Sequence, residues 1–81
     1  MNDKIFTVEY DMEQECIEIH LNPQGVAELI NILSRCAQSS VDEHIHLFTP
    51  SWGGVGLTEE KQNMSDQSKL INHLKIMYWK E

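Results

Sequence analysis

The chain is short of basic residues. Six lysines and arginines stand against thirteen aspartates and glutamates, a formal net charge of −7 with the histidines neutral. Such a surface repels nucleic-acid phosphates and anionic lipid headgroups, which argues against DNA, RNA or membrane binding and favours basic protein partners. There is no apolar run long enough to span a bilayer. The first residues, MNDKIFTVEYD, have neither the basic start nor the apolar stretch of a secretion signal, so a cytoplasmic protein is expected. Cysteine is scarce as well. Cys16 and Cys36 fall on opposite sides of the predicted sheet, aimed apart, which predicts two free thiols. Repeats, linkers and low-complexity tracts are missing, and 81 residues read as one domain, 1–81. The signatures of catalysis are missing too. Ser34, Ser39, Ser51 and Cys16 could act as nucleophiles, but no nucleophile-elbow motif frames any of them. Gly53, Gly54 and Gly56 are not followed by the Lys-Ser/Thr pair of a phosphate loop, and Glu59 and Glu60 would repel phosphate. A non-enzymatic protein without a cofactor is expected.

What is present is a clear alternation of elements. Residues 4–11 set Phe6, Val8 and Tyr10 against Ile5, Thr7 and Glu9, the period of a strand. A polar turn leads to a second strand, 15–21, which sends Ile17, Ile19 and Leu21 to one face and forms a hairpin with the first. Asn22-Pro23 marks a helix start, since asparagine caps exposed amides and proline suits the first helical position. Val26, Leu29, Ile30, Leu33, Cys36 and Ala37 follow a three-then-four spacing that predicts one core-facing stripe. A third strand covers 43–48 and a fourth 69–79, with Leu74, Ile76 and Tyr78 assigned to the core. The loop between them is long for a compact domain, and Thr58 is placed to cap a helical turn within it. The order β-β-α-β-β predicts an α+β fold: one helix packed on one face of a four-stranded, mostly antiparallel sheet, with the other face left to solvent or a partner.

The stretch HIHLFTPSWGG carries the most specific signal. His44 and His46 alternate with Ile45 and Leu47, so a strand places both imidazoles on one face. Trp52 either anchors an interface or fixes the long loop against the sheet. Glu59, Glu60 and Asp66 give that loop an acidic tip suited to steering a basic partner. On this assignment His20, His44, His46 and His73 share the side away from the helix. That face reads as an interface of semi-polar groups or as a metal site using His44, His46 and a third histidine, the mark of a metal-binding protein or small metal-dependent enzyme. A homodimer formed through an edge strand or the open sheet face is a third reading.

The strings EIHLNPQGVAELINIL, HIHLFTPSWGGVGLTEEKQ and LINHLKIMYW resemble the immunity protein 32 family of bacterial polymorphic-toxin systems. The resemblance runs from about residue 18 to 79, and residues 46–54, 57–62 and 71–79 are its specific parts. Where the family pattern often passes from the double glycine directly to a Leu-Ser/Thr segment, this chain has Val55-Gly56-Leu57-Thr58. The resemblance implies an α+β domain that binds and neutralises a cognate protein toxin inside the producing cell. The face assignment and the loop reading above give the expected partner-binding residues as His20, His44, His46, Trp52, Glu59, Glu60, Asp66 and His73.

Overall fold

In the computed structural model, which describes residues 3–81, the first alternating segments form the expected hairpin. Met1 and Asn2, the start of the stretch read for a secretion signal, lie outside the described residues. Strand β1, Phe6–Asp11, pairs antiparallel with β2, Cys16–Leu21, in a register running from Phe6 opposite Leu21 to Asp11 opposite Cys16. Asp11 builds the turn: its carboxylate accepts from the amides of Glu13 and Gln14, and Glu15 takes a positive φ of 53° to close it. Helix α1, Pro23–Ala37, begins where the sequence places it. The Asn22 side chain accepts from the amide of Gly25 and also from that of Ile5, which ties the cap to the strand before it.

The fold is α+β, but it does not contain one four-stranded sheet. The described residues form two antiparallel sheets, one in the order β2-β1-β4 and one pairing β3 with β5. Strand β3 is Glu43–Phe48, β4 is Ser68–Ile71 and β5 is His73–Tyr78. The single strand expected over 69–79 is broken at Asn72. There the Asn72 carbonyl accepts from the Thr49 amide, and its side-chain oxygen accepts from the Thr49 hydroxyl. These bonds take Asn72 out of the ladder and shift the alternation by one, so Ile71 and Leu74 both turn inward. This explains why the segment carries apolar residues on both parities. Leu74 and Ile76 pack against the core as expected.

The core is Phe6, Val8, Ile32, Leu47 and Leu57, with Leu21, Leu29, Ile45, Ile71, Leu74 and Ile76 packed around it. Leu57 comes from the long loop. Its segment runs parallel to the end of β3, with the Phe48 amide donating to Val55 and the Leu57 amide to Phe48. Thr58 then bonds the main chain of Phe6 in both directions, joining the two sheets. Thr58 therefore caps a strand end, and residues 58–61 form no helical turn. The one short helical piece of this loop is a 3-10 turn at Pro50–Trp52.

Two burial expectations change. The helix turns Gly25, Ile32 and Cys36 inward, whereas Val26, Ile30 and Leu33 of the expected stripe are exposed. The cause is the close approach of Gly25 to the Ile5 carbonyl, which fixes the rotation of the helix about its axis. The face of the three-stranded sheet away from the helix is not open either. Residues 62–63 lie over it, and Thr7 and Glu9 beneath are completely buried. Cys16 and Cys36 are both free thiols, as expected.

Candidate functional site

Among the described residues, the outer face of the β3–β5 sheet is the histidine-rich face left uncovered. The register sets His44 opposite Met77, His46 opposite Lys75 and Phe48 opposite His73. Alternation turns all six outward while Ile45, Leu47, Leu74 and Ile76 turn to the core. The rings form a continuous ladder. His44 meets His46 edge-on at 5.3 Å, His46 stacks on His73 at 5.0 Å, and His73 stacks on Phe48 at 4.3 Å. Nδ1 of His46 lies 2.7 Å from Nε2 of His73, so one ring donates and the other accepts. Partial desolvation by the rings stacked on it holds the His46 pKa below its ordinary value, helped by His73, His44 and Lys75. The pair is thus most stable with His46 neutral.

A pH dependence follows. A folded-state pKa below the unfolded one means that the unfolded chain binds more protons, so this contribution is complete above about pH 6.5 and falls away as acid is added. In an NMR titration, His46 should protonate at lower pH than a free imidazole. Titration of His46 at or above the free value would contradict the stacked pair.

Trp52 extends this face. The Trp52 amide donates to the Thr49 carbonyl, and Gly53 follows with a φ of 78°, which favours glycine. Gly54 must lack a side chain, because a Cβ would lie 2.5 Å from that of Phe48. The two glycines therefore serve the turn and its close packing on Phe48. The indole is 60% exposed and borders a hollow of about 310 Å³ lined by Lys69, Leu70, Ile71, Asn72 and His73. It does not plug the loop against the core, a role filled by Leu57.

The remaining expected residues do not gather here. His20 lies on the other sheet, 2.9 Å from Glu18 and 3.7 Å from Glu9. The acidic residues of the loop are spread out: Glu59 clamps the 3-10 turn by accepting from the Ser51 amide and hydroxyl, and Glu60 borders a hollow with Lys4 and Pro23. Asp66 sits in the turn before β4. Among the described residues, metal-compatible groupings are Glu9 with Glu18 and His20, and Asp11 with Cys16 and Glu18, not His44 with His46 and His73. The carboxylates of Glu9 and Asp11 already accept structural hydrogen bonds. Phe48 is the member of the ladder that the histidine pattern did not single out, although the parity of 44, 46 and 48 carried that signal.

The fold and this face define a small α+β domain that presents a histidine–aromatic surface on an exposed sheet. The family model of Immunity protein 32 matches residues 17–75, most of the chain, and the chain belongs to that family. Comparison with curated proteins and with solved structures gives no match. No helix among the described residues is long and apolar enough to cross a membrane.

Proposed function

We propose that this chain is a non-enzymatic immunity protein that binds and neutralises a cognate toxin in the cytoplasm of the cell that makes it. Family membership carries the general reading. The ladder of His44, His46, Phe48 and His73, continued by Trp52, carries the choice of surface. Imidazole, phenyl and indole rings bury area at low entropic cost and keep polar edges for directed contacts, the composition of interface centres. The net charge of −7 favours encounter with a basic toxin, an effect that salt weakens.

Co-expression with the toxin domain encoded beside the gene should restore growth, and failure either to rescue or to bind that toxin would remove the reading. Within it, Trp52→Ala and the pair His44→Ala/His46→Ala should each weaken toxin binding by more than about 1 kcal/mol. The histidine pair should leave the melting curve nearly unchanged, since both rings are exposed. Binding at parental strength by both variants would move the interface off this face.

A further inference from the structure

We infer that the chain pairs with a second copy of itself through β2, joining two three-stranded sheets into one and closing an apolar flank of α1 against its two-fold equivalent.

Strand β2 is the outermost strand of its sheet. Among the described residues, none of its main-chain groups bonds outside the ladder with β1. Edge strands are ordinarily guarded by charged side chains, lysine above all, by proline or by a bulge. CIEIHL has no lysine or proline, and its one acid, Glu18, lies on the face that residues 62–63 cover, where it accepts from the Asn63 side chain. The register with β1 puts Ile17 and Ile19 on the face of Val8 and Tyr10, the side on which α1 lies, yet they are 59% and 48% exposed.

The helix supplies the matching surface. At 100° per residue, Val26, Ile30 and Leu33 share one flank, about a quarter-turn from the buried Gly25, Ile32 and Cys36. The opposite flank is occupied. Its Glu28 pairs with Lys4, which also donates to the Gly56 carbonyl, and its Arg35 borders a hollow with Glu43, His44 and Ile45 of β3. The exposed flank, including Ile30 at 58%, therefore faces the β2 side. An apolar strand face and an apolar helix wall meet there, more than scattered surface residues account for.

The occupant must offer both a strand edge and an apolar wall above it. A lone added strand would cover Ile17 and Ile19 but leave the helix flank wet, whereas a second copy supplies both by symmetry. The sequence also selects a register. Two-fold antiparallel pairing centred on Ile19 sets Ile17 opposite the partner copy's Leu21. On the other face it sets Glu18 opposite the partner copy's His20, and the reverse. Centring on Glu18 opposes two carboxylates, centring on Ile17 sets Ile19 against Glu15, and centring on His20 sets Ile17 against Pro23. The Ile19 register joins apolar to apolar on one face and, on the other, sets the Glu18–His20 pair of each copy alongside that of the other without opposing like charges. It leaves the His44–His46 face free, so the dimer does not depend on the toxin-binding reading.

Sedimentation of the parent protein up to roughly 100 µM, far above the dissociation constants of specific interfaces, should give a dimer. Ile19→Glu and Ile30→Glu should each sediment as a monomer with an unchanged circular dichroism spectrum, because both side chains are exposed. Cross-strand partners lie about 4.5–5.5 Å apart at Cα, within disulfide range. The double variant Cys16→Ser/Ile19→Cys should therefore cross-link to a dimer under mild oxidation, and Cys16→Ser/Val41→Cys should not. A monomeric parent overturns the inference, including one whose Ile19→Glu variant loses toxin binding, which would assign the edge to the toxin. A dimer that survives both glutamate substitutions overturns it as well.

Discussion

Replacing Glu9 by alanine should cost about 3 kcal/mol and lower the melting temperature by about 15 °C. Glu9 is 0% exposed in the middle of the central strand β1. One carboxylate oxygen accepts from the Asn63 amide and the Ser68 hydroxyl, the other from the Thr7 hydroxyl and the Gln62 amide. Alanine would strand two part-buried main-chain donors and two buried hydroxyls, each costing up to about 1–3 kcal/mol when left unpaired, less where water or a rotated hydroxyl finds another partner. A domain of this size holds roughly 4–12 kcal/mol in all, so the loss is a large fraction. The effect should spread to residues 62–63, whose place over the sheet depends on those bonds. Amide exchange there should rise before it rises in α1.

The charge of Glu9 has its own signature. Burial alone would raise its pKa, but the Gln62 and Asn63 amides, the Thr7 hydroxyl and nearby His20 outweigh burial and hold it below the ordinary glutamate value. The folded state thus binds fewer protons than the unfolded one. This stability is complete above about pH 4.3 and is lost as pH falls through the lower folded value. Glu9→Gln keeps the shape and should be milder than alanine at neutral pH, while losing this part of the acid dependence. A Glu9→Ala protein as stable as the parent would show that the loop is held by other contacts.

Glu9 also marks where the sequence stops being legible. Its parity on β1, with Thr7 and against Phe6 and Val8, reads as a solvent face. The donors that bury it lie more than fifty residues away, in a loop with no periodic pattern. Local patterns fared better: the hairpin, the Asn22 cap and the helix all follow from spacing. The helix phase did not. Apolar residues from Val26 to Cys36 wrap so much of α1 that periodicity alone permits several rotations, and a non-periodic glycine contact decides among them. The histidine face was legible in part, because His44 and His46 sit on one unbroken strand. Uniting them with His73 required the cross-strand register, and separating His20 required knowing that the sheet divides at Asn72.

Gly25→Ala should destabilise the protein by about 3 kcal/mol, against the direction that helix propensity alone gives. In a helix interior, alanine is favoured over glycine by about 1 kcal/mol. Here an added Cβ would run into the Ile5 carbonyl oxygen and come within 3.1 Å of a Leu21 methyl. The methyl could turn aside, but the carbonyl cannot. Ile5 is held from both sides, its amide donating to the Asn22 side chain and its carbonyl accepting from the Asn22 amide. Relief requires either breaking these bonds, at about 1 kcal/mol each, or lifting the first turn of α1 and losing contact beneath Leu29 and Ile32. Either loss exceeds the propensity gain. Ser34→Ala, at an exposed position on the same helix, should stabilise by a few tenths of a kcal/mol and serves as the control for propensity. Denaturant melts of the two variants should therefore move in opposite directions. If Gly25→Ala is as stable as the parent, the seat of α1 on Ile5 does not set its rotation, and the exposure of Val26, Ile30 and Leu33 must have another cause.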